Sequence, residues 1–137
     1  MKEKLQTYLG EIMLKCGYMV GKPEVVYPKE AGHADYMSST TLAIAKQYGK
    51  SPKVMADTIV EEMRKDLPPY IESVDVAGPG FINFHLSREY YTGILEFILR
   101  DGERYGKSDI FETKKVVVEY TQPNPFKPFH IGHLLSN

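Results

Sequence analysis

Residues 71–86 read Ile-Glu-Ser-Val-Asp-Val-Ala-Gly-Pro-Gly-Phe-Ile-Asn-Phe-His-Leu, and their reading decides the fold. Residues 71–76 alternate apolar with charged side chains, the two-residue period of a strand. Gly78-Pro79-Gly80 is a turn. The next six residues put Phe81, Asn83 and His85 on one face and Ile82, Phe84 and Leu86 on the other. Two such segments joined by so short a turn form an antiparallel hairpin.

Helical periods lie on the N-terminal side. Leu5, Tyr8, Leu9, Ile12, Met13 and Cys16 recur at spacings of three and four, an apolar stripe over residues 3–16 that Gly17 ends. A short strand is expected over 24–27, closed by Pro28, and then a loop over 28–37. A second helix is expected from Ser39 to Tyr48, stopped by Gly49. A third starts with Ser51 as N-cap and Pro52 in the first turn, where proline's missing N–H costs nothing. Its Met55, Ile59, Val60 and Met63 face the core, and Pro68-Pro69 forbids continuation.

After the hairpin, Ser87 caps a fourth helix carrying Tyr91, Ile94, Leu95 and Ile98, which fades near Gly102. Residues 102–115 hold two glycines and many charges and read as a linker. Val116-Val117-Val118 is a β-branched run suited to a strand buried on both faces, as in a parallel sheet. A loop with Pro123, Pro125 and Pro128 leads into His130-Ile131-Gly132-His133 and the apolar start of a helix.

Composition narrows the function classes. The 137 residues carry a net charge of −1, so no global excess of Lys and Arg argues for nucleic acid, although a local patch stays open. Cys16 is the only cysteine, which excludes an internal disulfide and a cysteine-only metal site. No apolar run approaches a membrane span, and the charged N-terminus is not a secretory signal. The expectation is a soluble cytoplasmic chain that does not engage a membrane. A monomer is expected, although nothing in the sequence sets the oligomeric state.

His-x-Gly-His at a strand–loop–helix junction has its own chemistry. A helix start offers unpaired N–H groups and a positive dipole end to phosphate. Gly132 lets a flat base or a phosphate approach the backbone. Two imidazoles three residues apart can donate to phosphate oxygens as charge develops. The bland alternatives are a surface loop with incidental histidines or a two-histidine metal site. The latter has no carboxylate or cysteine nearby in sequence as a third ligand, and no metal-ligating residue is assigned.

The run Tyr-Thr-Gln-Pro-Asn-Pro-Phe-Lys-Pro-Phe-His-Ile-Gly-His-Leu over 120–134 resembles the first signature of class I aminoacyl-tRNA synthetases, in the form found in arginyl-tRNA synthetases. Independently, Val-Ala-Gly-Pro-Gly-Phe-Ile-Asn-Phe over 76–84 resembles the hallmark of that family's additional N-terminal domain. Asp35-Tyr36 before a small-residue helix is a third match, with Ala34 where the family usually has Gly.

The resemblance implies a fold and a set of roles. The fold class is α+β. A small antiparallel sheet packed with about four helices occupies 1–112 as a tRNA-binding domain. The first strand and helix start of a truncated Rossmann-like catalytic domain occupy 113–137. His130 and His133 would contact the ATP phosphates, and Gly132 would give the adenine room. Thr121 and Asn124 would lie by the amino group and carboxylate of arginine. Lys127 would add charge near the phosphates, against the alternative of a solvated loop lysine. Phe81 and Asn83 would contact the D-loop elbow of tRNA(Arg). An aromatic that stacks on a splayed base beside an amide that reads its edge suits single-stranded RNA. The alternative for Phe81 is a core residue, weakened because Ile82, Phe84 and Leu86 already form a full apolar face.

The implied enzyme ligates arginine to its tRNA using ATP and Mg²⁺. This chain is expected to be an N-terminal part, inactive alone, because no second nucleotide-binding signature or anticodon-binding region is present. A stand-alone RNA-binding module is the rival reading. A small nucleotidyltransferase is a third, disfavoured because those place the motif near the start of a complete α/β domain. Cys16 is expected to be packed, and His33 to lie exposed in a loop.

Overall fold

The computed structural model describes residues 1–28, 34–119, 126, 128 and 130–135, with His133 described by its backbone only. The elements are α1 (Lys2–Lys15), β1 (Tyr36–Ser38), α2 (Thr40–Ile44), α3 (Pro52–Arg64), β2 (Ile71–Ala77), β3 (Phe81–Leu86), α4 (Arg88–Asp101) and α5 (Ile131–Leu135), with a 3₁₀ turn at Gly102–Arg104. The chain divides into two compact units, Met1–Arg100 and Asp101–Asn137. The first is α+β: four helices and one antiparallel sheet of order β1-β3-β2.

The hairpin forms as its alternation dictates. Ala77 pairs with Phe81 across the turn, Val76 with Ile82, Asp75 with Asn83 and Val74 with Phe84. Ile82, Phe84 and Leu86 are buried, and Phe81, Asn83 and His85 stand half-exposed on the opposite face. The inner face meets Leu5, Leu9, Ile12 and Met13 of α1 and Met55, Ile59, Val60 and Met63 of α3 in one core. Burying a side chain the size of Phe84 contributes roughly 1.5–3 kcal/mol, so the inner rows of β3 hold the sheet to the helices.

The helix boundaries follow local chemistry. After α1, Gly17 adopts φ +83° and the N–H of Tyr18 donates to the Met13 carbonyl, closing the last turn. Ser51 is extended at the start of α3, with Pro52 in the first turn. The Ser87 hydroxyl accepts the N–H of Tyr90 at 3.2 Å, capping α4. Ser87 also donates to the Pro69 carbonyl at 2.7 Å, which ties that cap to the start of β2.

Four expectations are corrected. Residues 24–27 do not form a strand; only Val26 bridges to Met37. The stretch read as a loop ends instead in β1, which pairs with the free edge of β3 through Tyr36–Phe84 and Ser38–Ile82. The second helix stops at Ile44 rather than Tyr48. Beyond it the N–H groups of Gln47, Tyr48 and Gly49 reach back only three residues, and Gly49 turns the chain at φ +60°. Tightening this turn places Tyr48 edge-on to Tyr18 with ring centroids 5.2 Å apart.

The fourth correction concerns Val116–Val118, expected as the first strand of a buried parallel sheet. It carries no strand hydrogen bonds, and Val117 is 84% exposed. A strand exists only where a neighbour takes its N–H and C=O groups, and the described residues offer this segment none. The α4 helix also departs from a simple amphipathic reading: none of its residues is buried, and Tyr91, Ile94 and Leu95 are exposed.

Candidate nucleic-acid interface

The outer face of the hairpin is held in place at its turn. Gly80 lies at φ +136°, and a Cβ there would sit 2.7 Å from the Pro52 carbonyl carbon. The turn therefore rests directly on the first residues of α3, at a distance only glycine permits. Thr41 in the first turn of α2 donates its hydroxyl to the Gly80 carbonyl at 2.5 Å. Phe81, the next residue, is aimed by this double anchorage.

Along the outer face runs a polar row. Asp75 lies opposite Asn83, with Met37 of β1 on the other side. Asn83 Nδ2 donates to Asp75 Oδ2 at 3.1 Å. His85 Nε2 lies 2.7 Å from Asp75 Oδ1. A carboxylate only accepts, so the His85 proton sits on Nε2. The arrangement offers an aromatic ring, an amide and an imidazole in a line on one strand, the inventory that stacks on and hydrogen-bonds to an unpaired base.

Of the residues expected to contact RNA, Phe81 and Asn83 are thus brought onto one face together with His85. Asp75 was missed. It could have been found from the turn itself: pairing Ala77 with Phe81 across Gly78-Pro79-Gly80 sets Asp75 against Asn83.

Asp35 has a different place. Its carboxylate accepts the Leu86 N–H at 2.7 Å and the Tyr91 hydroxyl at 2.5 Å. It joins the start of β1 to the end of β3 and to α4. This bond, then burial, pushes the Tyr91 hydroxyl up to about 12. Tyr36 is buried, with its hydroxyl donating to Tyr27 at 3.0 Å, and burial first and that bond second raise its pKa. Cys16 packs at the edge of the core, and burial pushes its thiol up.

The second candidate site is less fully described. Thr121, Asn124 and Lys127 lie outside the described residues, as do the side chain of His133 and, in the first unit, His33. His130 precedes α5 with its ring folded over the helix start, where Nδ1 accepts the Gly132 N–H at 3.1 Å. In the neutral ring the proton is then on Nε2. A Cβ at position 132 would lie 2.9 Å from His130 Cε1. The missing side chain therefore makes room for the imidazole.

Comparison with known proteins defines the class first. Residues 94–137 match the family model described as tRNA synthetases class I (R), catalytic domain. Residues 1–86 match the model described as Arginyl tRNA synthetase N terminal domain. The chain belongs to the arginyl-tRNA synthetase family.

Similar curated proteins include the arginine–tRNA ligase of Anoxybacillus flavithermus, 33% identical over 97% of this chain and 24% of its own length. That of Thermococcus sibiricus is 37% identical over 96% of this chain and 21% of its own. This chain therefore spans about a quarter or less of the relatives it matches. Among solved structures, the Thermus thermophilus arginyl-tRNA synthetase aligns over 98% of this chain and 21% of its own, with TM-score 0.56 and 22% identity. The Plasmodium falciparum enzyme aligns over 69% of this chain and 17% of its own, with TM-score 0.60 and 20% identity. At these identities the likeness establishes the fold.

Proposed function

We propose that this chain serves the charging of tRNA(Arg) with arginine, and that its own part is to hold the tRNA by the D-loop elbow. Residues 1–112 do this work, and 113–137 contribute the start of the class I nucleotide site. The observation that carries the reading is the sidedness of β3. Ile82, Phe84 and Leu86 fill the core, so Phe81 is spared for the outer face beside Asn83. The ring stacks on a splayed base, and the amide reads the base edge.

In the complete reaction the arginine carboxylate attacks the α-phosphate of ATP, giving arginyl-adenylate and pyrophosphate, and the arginyl group then passes to the 3′ end of tRNA. His130 donates through Nε2–H to phosphate oxygens, its other nitrogen being occupied by the Gly132 N–H. His133 and Lys127 add charge at the phosphates, the His130 ring takes the space that a Cβ at Gly132 would fill, and Thr121 and Asn124 hold the arginine. Among the described residues no group of three or more His, Cys, Asp or Glu forms a metal cage. Mg²⁺ would be held by the nucleotide's phosphate oxygens and would supply charge neutralisation there. The setting is the cytoplasm and the working form a monomer.

The test is tRNA(Arg) binding by the 137-residue chain at low salt. Phe81→Ala and Asn83→Ala should each weaken binding about tenfold, the value of one stacked or hydrogen-bonded base. In the complete ligase they should slow tRNA charging and leave arginine-dependent ATP–pyrophosphate exchange unchanged. Wild-type binding and charging by both variants would overturn the assignment.

A further inference from the structure

We infer that Asp75 is a positioning residue: its carboxylate sets which end of the Asn83 amide faces a bound nucleotide, and so which base the hairpin accepts. The inference rests on the RNA-binding reading given above. Asp75 stands directly opposite Asn83 in the register of β2 and β3, and the Asn83 Nδ2–Asp75 Oδ2 bond closes that pair at 3.1 Å.

An asparagine amide is nearly symmetric in shape, so packing alone does not choose between its two orientations. A carboxylate does choose. It only accepts, and an amide oxygen turned toward it would set two acceptors against each other. With Nδ2 committed to Asp75, the Asn83 amide presents Oδ1 and its second N–H to a ligand in a fixed order. The bases differ in the order of donors and acceptors along their edges, so a fixed order is a selection.

The carboxylate is itself held. His85 Nε2 takes the other oxygen at 2.7 Å, so Asp75 cannot rotate to release the amide without losing both bonds. The side chains of His85 and Asp75 are 34% and 46% exposed. A pair so open to water adds little to stability. A negative charge on a face that meets phosphates also works against affinity. Selection between bases is what this carboxylate supplies in return.

The experiment uses the 137-residue chain and tRNA(Arg) transcripts in which each unpaired D-loop base is replaced in turn by the other three. Wild type should favour one base at one position by about tenfold. Asp75→Asn keeps the shape but can donate or accept, so it permits both amide orientations. It should reduce the preference to under about threefold, chiefly by tighter binding of the disfavoured transcripts. Asp75→Ser serves as a second variant with the same expected direction. The Asn83 side-chain amide resonances should move in both variants while the thermal midpoint holds.

A full base preference in both Asp75 variants, with Asn83→Ala losing it, would overturn the positioning role and leave the RNA reading standing. A full preference in Asn83→Ala would overturn the RNA reading at this residue, and the role of Asp75 with it.

Discussion

Gly80→Ala tests how the turn between β2 and β3 is built. The backbone at Gly80 has φ +136°, a region that side chains rarely enter, and such strain costs about 1–3 kcal/mol. The added methyl would also lie 2.7 Å from the Pro52 carbonyl carbon, 2.8 Å from its oxygen and 2.9 Å from the Lys53 nitrogen. These are backbone atoms in the first turn of α3, so no rotamer change relieves the clash. Overpacking of this kind costs about 1–3 kcal/mol. The loss of glycine's freedom in the unfolded chain returns about 0.4–1 kcal/mol. The net expectation is about 1–5.5 kcal/mol of destabilisation by these terms.

Gly78→Ala is the internal control. Gly78 also has positive φ, at +51°, but its added methyl meets only the Phe81 ring at an ordinary 3.8 Å. It should cost only the left-handed backbone term of about 1–2 kcal/mol, less the same return of about 0.4–1 kcal/mol. Urea unfolding followed by circular dichroism separates the two, with unchanged m-values confirming the same transition. Equal losses in the two variants, or a loss under about 0.5 kcal/mol for Gly80→Ala, would refute the claim that the turn is seated on α3.

Other expectations follow from neighbouring contacts. Thr41→Val keeps the shape but leaves the buried Gly80 carbonyl without its 2.5 Å donor, and should cost about 1–3 kcal/mol in the same denaturation assay. The Tyr91 hydroxyl is raised from an ordinary value of 10.0 to about 12 by its bond to Asp35. A raised tyrosine contributes stability that is complete below pH 10 and is lost as pH rises through about 12. Wild type should therefore lose its stability advantage over Tyr91→Phe across that window, as thermal midpoints at a series of pH values would show. Cys16, with its thiol pushed up by burial, should react with iodoacetamide at pH 8 more slowly than a cysteine in an unstructured peptide. Labelling at the peptide's rate would contradict its packed position.

The parts of the fold that were legible in sequence are those set by near neighbours. The β2–β3 hairpin follows from two-residue alternation around one turn. The start of α3 follows from Ser51-Pro52 and that of α4 from Ser87. Phe81 and Asn83 share the outer face because a strand alternates, which made half of the candidate site readable.

What was not legible depends on partners distant in the chain. The three residues of β1 are too few to show a period, and they are strand only because β3 has a free edge. Residues 116–118 show the reverse: a strongly β-branched run that finds no partner among the described residues forms no strand. The end of α2 is set by Tyr48, whose hydroxyl donates to the Met19 carbonyl at 3.1 Å across the fold. Asp75 gained its place only from the register, which sets it against Asn83.

The sheet also has a kinetic consequence. Its hairpin closes over a three-residue turn, and such closures form in microseconds. The edge strand must instead arrive from far along the chain: Asp35 meets Leu86 across a separation of 51 residues. Closing so long a loop is entropically costly before any contact rewards it. The hairpin should form in the transition state and β1 dock late, giving high φ-values at Val74 and Phe84 and low ones at Tyr36 and Asp35. Weakening the Asp35 contacts should then speed unfolding and leave the folding rate nearly unchanged. The face that bears Phe81 and Asn83 would be assembled early in folding, ahead of the strand that borders it.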